Sequence, residues 1–267
     1  MDAQTLAVLC AVAKGTGFAF LMTALGAGAV VFSGRRPGAA FRRMSLGFAA
    51  GIMIAASVWS LLIPAIEQGA RAGLPGWVPA AAGFAAGVAA LLAADRLLPH
   101  QHPAESRPEG PPSRLPRSAL LVFAVTLHNV PEGMSVGLSY ALAELSADPQ
   151  ALSAAAALAL GIGIQNIPEG AAVALPLRES GASRLKAFAA GAGSGAVEPL
   201  FGMLVVLMAA SAAAWMPWLL AAAAGAMMYV VVEELIPAAS LDSRRHDATL
   251  SVLCGFLLMM VLDTAAG

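Results

Sequence analysis

A spanning helix needs about 20 mostly apolar residues in a row. This chain offers that pattern eight times, over roughly 5–32, 44–66, 77–98, 118–145, 151–177, 185–211, 216–239 and 248–266. In lipid, every backbone polar group must be satisfied within its own segment or closed barrel, so apolar stretches of this length fold as helices. The connections are short except for 99–117, where Pro99, Pro103, Pro108, Pro111, Pro112 and Pro116 lie among mixed charges and read as a solvated loop. Composition removes the soluble alternative. Of 267 residues, 59% are apolar and 12% charged, whereas soluble domains carry about 25% charge. The expected fold is an all-α polytopic membrane protein, one transmembrane domain over 1–267 with eight spans.

Basic residues set the orientation, because they favour the cytoplasmic side. Arg35, Arg36, Arg42 and Arg43 lie between spans one and two, and Arg96, Arg107, Arg114 and Arg117 between three and four. Arg178, Arg184 and Lys186 flank the next alternate gap, and Arg244 and Arg245 the last. The other side keeps Lys14 and Arg71, with acidic Glu144 and Asp148. Eight spans with both termini extracytoplasmic satisfy the bias throughout. The first stretch lacks a positive leading region and is interrupted by Lys14, so it reads as a span rather than a removed leader. A net charge of −1 without a large basic patch argues against nucleic acid as a partner. Cys10 and Cys254, far apart within apolar segments, read as buried free thiols.

Two near-copies of one phrase stand in the middle of spans four and five: His128-Asn129-Val130-Pro131-Glu132-Gly133 and Gln165-Asn166-Ile167-Pro168-Glu169-Gly170. A second echo joins Leu62-Ile63-Pro64-Ala65 near the end of span two to Leu235-Ile236-Pro237-Ala238 near the end of span seven. Four pairs with five and two with seven, each pair antiparallel. That is the pattern of an inverted repeat, common among secondary transporters.

Ionisable residues inside a span are costly and mark function. His128 and Glu132 are four apart and share a helix face, as do Gln165 and Glu169. Asn129 and Asn166 stand three before each Glu. Pro131 and Pro168 free the carbonyls of Leu127 and Ile164, and Gly133 and Gly170 permit close helix approach. Glu198, followed by Pro199 on span six, falls at the same depth, as does Met53 on span two. Imidazole, carboxylate and amide oxygen together suit a borderline transition metal, Zn²⁺ before Fe²⁺ or Mn²⁺; calcium or magnesium would favour oxygen alone. Glu67 at the outer end of span two, and Glu233 and Glu234 near the inner end of span seven, are candidates for the permeation pathway. His100 and His102 in the long loop read as solvated.

At these residues the chain resembles the ZIP (Zrt/Irt-like) divalent-metal transporters, most closely the bacterial GufA-type branch. The resemblance rests on the paired phrases, on Ser194-Gly195-Ala196-Val197-Glu198-Pro199 and on Glu233-Glu234-Leu235-Ile236-Pro237. It implies eight helices, a mid-membrane metal site between helices four and five, uptake of Zn²⁺ and related ions such as Cd²⁺ towards the cytoplasm, and homodimers in the cell inner membrane. By the same resemblance, His128, Glu132, Gln165 and Glu169 match primary ligands, and Met53 a ligand from helix two. Asn129, Asn166 and Glu198, with the shared Glu132 and Glu169, match an adjacent second site, and Glu67 an acidic position at the outer mouth. Asn166 departs from members that place a carboxylate there, which removes a charge from the second site.

The expectation is therefore a transporter and not an enzyme, with the metal as cargo and no catalytic cofactor. An intramembrane metalloenzyme is the first rival, but the spans hold one histidine and no paired-histidine protease motif. A proton-coupled carrier of organic solutes is the second.

Overall fold

The computed structural model describes residues 3–32, 38–98, 111, 117–146, 149–210, 213–239 and 246–266. Among them every regular element is helical. We number eight long helices. α1 is Ala3–Ala27, with a short continuation Ala29–Phe32. α2 runs from Ala39–Ala56 through a wider π turn at Ser57–Leu62 into Ile63–Arg71. α3 is Trp77–Leu97, α4 Arg117–Ser146 and α5 Pro149–Glu179. α6 runs as Arg184–Gly195 and then Val197–Ala210. α7 is Met216–Val230, a π turn Val231–Leu235, then Ile236–Ala239, and α8 is Asp247–Ala266. Seven of these are long and apolar enough to cross a membrane. The remaining one, α4, is 30 residues long, and its hydropathy is lowered by His128, Asn129, Glu132 and Glu144.

The Leu-Ile-Pro-Ala echo proves to be a structural equivalence. Proline cannot donate to the carbonyl four residues back, so the turn before it opens by one residue. Ile63 N–H then reaches the carbonyl of Val58, and Ile236 N–H reaches that of Val231, five residues back in both cases. The same four residues therefore end a π turn in α2 and in α7. Such turns gather at functional sites, and here they carry Ser60 and Glu234 inward.

Packing sorts the helices. α2 lies along α8 and α3 along α7, while α1 packs on α4, α5 and α6. The main core is aliphatic, with Ile52, Met53, Leu61, Leu138, Leu158, Ile162, Leu220, Met227 and Met259 fully buried. A smaller core of Ala27, Val30, Ala174, Leu175 and Ala187 joins α1, α5 and α6. Arg43 and Asp247 pair at 3.1 Å across the first turns of α2 and α8, and Ser251 hydroxyl donates to the carbonyl of Met44 beside them.

One expectation is corrected: Cys10 and Cys254 are exposed, on the outer faces of α1 and α8. Lipid tails are as apolar as leucine, so outward and inward positions of a spanning helix share one composition. Arg35, Arg36, Asp148, Arg244 and Arg245, and the loop containing His100, His102, Arg107 and Arg114, lie outside the described residues.

Candidate metal site

The two phrases sit midway along α4 and α5, and both helices pass through their prolines without breaking. Glycine makes their approach close. A side chain at Gly133 would run into the backbone of Glu198 on α6, and one at Gly170 into the carbonyl of Thr23 on α1. Four helices thus converge at one level. His128, Asn129, Glu132, Gln165, Asn166, Glu169 and Glu198 are all buried there.

Hydrogen bonds fix their arrangement. Gln165 Nε2 donates to Glu132 Oε1 at 2.6 Å, joining α5 to α4. Asn166 Nδ2 donates to Glu198 Oε1 at 2.9 Å, joining α5 to α6, and Thr23 Oγ1 donates to the same oxygen at 3.1 Å from α1. Asn129 Nδ2 donates to the carbonyl of Ser194 at 3.0 Å. His128 Nδ1 lies 3.2 Å from Glu234 Oε2, which reaches in from the π turn of α7.

What these bonds leave over is informative. Glu132 Oε2, both oxygens of Glu169, Glu198 Oε2 and the side-chain carbonyls of Asn129, Gln165 and Asn166 are buried without a hydrogen-bond partner. Every atom in that set is an acceptor. Buried acceptors left unmade cost free energy, and isolated buried carboxylates cost several kcal/mol each. A cation placed among them meets this whole set of demands at once. His128, Glu132 and Glu169 each offer a ligand atom within 4.8 Å of the others, the compact group expected of a shared ion.

The remaining sequence candidates lie on α2 and α7. Met53 is fully buried in the main core, on the helix that packs along α8 and against α5. Glu67 is exposed near the end of α2, with Arg71 at 4.0 Å. Glu233 is exposed, but it lines a cavity with Glu234, His128, Tyr229 and Asp95. Its lining thus includes His128 of the cluster and Asp95 near the end of α3.

Two residues that touch the cluster, Glu234 and Thr23, and one buried acid outside it, Asp263, escape the sequence reading in part or whole. Glu234 appeared only as a pathway candidate, because its place against His128 depends on the π turn. Thr23 carries no charge and sits in an unremarkable apolar run. Asp263 is buried on α8, where it accepts from Ser60 hydroxyl at 2.7 Å, and its Oδ2 and the nearby Ser57 hydroxyl lack partners. An acid three residues from a span's end usually marks the interface, so its isolation in an apolar segment was the one available sign.

Eight packed helices around a buried imidazole, carboxylates and amides define a multi-pass membrane protein with a candidate cation site at the level where its helices converge. Comparison with known proteins agrees. The ZIP zinc transporter family model matches residues 97–263. The human zinc transporter ZIP11 is 36% identical, covering 95% of this chain and 96% of that protein. Zinc transporter ZIPB of Bordetella bronchiseptica is 38% identical over 93% of this chain and 79% of its own length. Zinc transporter GufA of Myxococcus xanthus is 36% identical over 78% of this chain and 81% of its own. The chain belongs to the ZIP zinc transporter family, a family of transporters and not enzymes.

Proposed function

We propose that this chain carries Zn²⁺ across the cell inner membrane into the cytoplasm, by alternating access to the site between α4 and α5. The observation that carries the reading is the set of buried, unpartnered acceptor oxygens around His128, Glu132 and Glu169. Gln165 supplies an amide oxygen and Met53 a thioether to the same ion. Asn129, Asn166 and Glu198 form the adjacent second position, which Asn166 leaves a charge short.

The whole chain acts as one transport domain with both termini extracytoplasmic, in keeping with Arg43, Arg96, Arg178, Arg184 and Lys186 at alternate helix ends. The cavity lined by Asp95, Glu233 and Glu234 then faces the cytoplasm as the way out, and Glu67 stands at the outer mouth. Alternating access divides the helices as they pack: α1, α4, α5 and α6 form one group, which holds every proposed ligand but Met53, and α2, α3, α7 and α8 form the frame. His128 and Glu234 bridge the two groups at 3.2 Å, so that contact breaks when one group moves past the other. The working unit is a homodimer in the bilayer.

Uptake into defined vesicles tests the reading. Zn²⁺ should enter, and Cd²⁺, Fe²⁺ and Mn²⁺ should compete for the same site with weaker effect. Zinc-insensitive uptake of an organic solute would replace the assignment. The charge deficit gives a second expected result: Asn166→Asp adds a carboxylate beside Glu132, Glu169 and Glu198 and tightens zinc binding by calorimetry. Unchanged or weaker affinity would count against a second position there.

A further inference from the structure

Two of the three carboxylates in the cluster offer only half of themselves. Glu132 Oε1 accepts from Gln165, and Glu198 Oε1 accepts from both Asn166 and Thr23, while the second oxygen of each is buried and unpartnered. Glu169 alone has both oxygens open. A carboxylate whose one oxygen is held by donors binds a cation through the other. Bidentate carboxylates serve ions of high coordination number, whereas Zn²⁺ takes four ligands in a tetrahedron. Mn²⁺ favours an octahedral oxygen set.

Thr23 is built into this restraint. Its carbonyl faces Gly170 on α5 and its side chain faces Gly195 on α6, so its backbone is held between the two helices that meet at Glu198. The hydroxyl lies 3.1 Å from Glu198 Oε1 and 3.3 Å from the carbonyl of Ala19, which also receives Asn166 Nδ2 at 3.3 Å. Thr23, Asn166 and the Ala19 carbonyl form one small network around Glu198 Oε1.

We propose that Thr23 is a positioning residue for metal selectivity: it holds Glu198 to one outward oxygen, as Gln165 does for Glu132, and so favours a low-coordinate ion. The inference rests on the transport reading above. It makes Thr23, which is not a ligand, a determinant of which divalent ion is carried.

The test compares wild type, Thr23→Val and Thr23→Ser in proteoliposomes, with Zn²⁺ and Mn²⁺ as the ions. Valine keeps the shape and removes the donor; serine restores it. The ratio of kcat/KM for Mn²⁺ to that for Zn²⁺ should rise about tenfold in Thr23→Val, the worth of one hydrogen bond to a charged group, and stay at the wild-type ratio in Thr23→Ser. An unchanged ratio overturns the proposal, and so does an equal loss for both ions, which would mark Thr23 as packing alone. X-ray absorption on the zinc-loaded proteins provides a readout independent of transport. The mean coordination number should be higher in Thr23→Val than in wild type, and equal values overturn the proposal. If wild type carries no zinc, the transport reading fails, and the absorption measurement still decides the role of Thr23.

Discussion

Replacing His128 or Glu169 by alanine should lower zinc uptake in reconstituted vesicles by more than about 100-fold, since the loss of outer partners alone costs metal sites 10- to 100-fold. Glu169 has no hydrogen-bond partner for either oxygen, so truncating it breaks no hydrogen bond of the fold. The variant should fold, and thermal unfolding in detergent checks that it does. His128 differs in one respect. Its Nδ1 meets Glu234, so His128→Ala also breaks a buried contact between α4 and α7 and should be somewhat less stable. Wild-type uptake in both variants would remove the metal-site assignment.

The second large effect is structural. Gly133→Ala drives a methyl group into the backbone of Glu198, where no flexible side chain can give way. Overpacking of this kind costs about 1–3 kcal/mol, so the melting temperature should fall by several degrees. Uptake should fall with it, because the displaced backbone carries a cluster carboxylate. Gly193→Ala is the control: a methyl group there meets nothing within 4 Å. Equal behaviour of the two variants would show that the α4–α6 contact is not tight.

Much of this was legible in the residues, for a physical reason. A membrane reduces the fold problem to counting apolar runs, and the price of buried charge makes every acid inside a run conspicuous. The paired phrases announced both their helices and their meeting, because antiparallel neighbours with ligands at mid-length must bring them to one depth. The Gln165–Glu132 and Asn166–Glu198 hydrogen bonds realise that meeting. The parts that stayed hidden are those without charge or periodicity to betray them. Thr23 is one hydroxyl in an apolar run, and its importance lies in a contact 175 residues away in sequence. Glu234 turns inward only because Pro237 widens the preceding turn. Asp263 is buried three residues before the expected end of its span, where position alone gives no sign of it. The cysteines were misread because a helix wrapped in lipid gives no compositional sign of which face points outward.

Cys10 sits on α1, in the group with α4, α5 and α6, and Cys254 sits on α8, in the frame. The molecule therefore holds a native thiol on each of the two bodies whose relative displacement would open the site first to one side and then to the other. Both thiols are accessible, and neither belongs to the metal cluster. With a spin label or fluorophore on each, the transport cycle becomes a change in the distance between labels within one protomer, read from a protein with every cargo-binding residue unaltered.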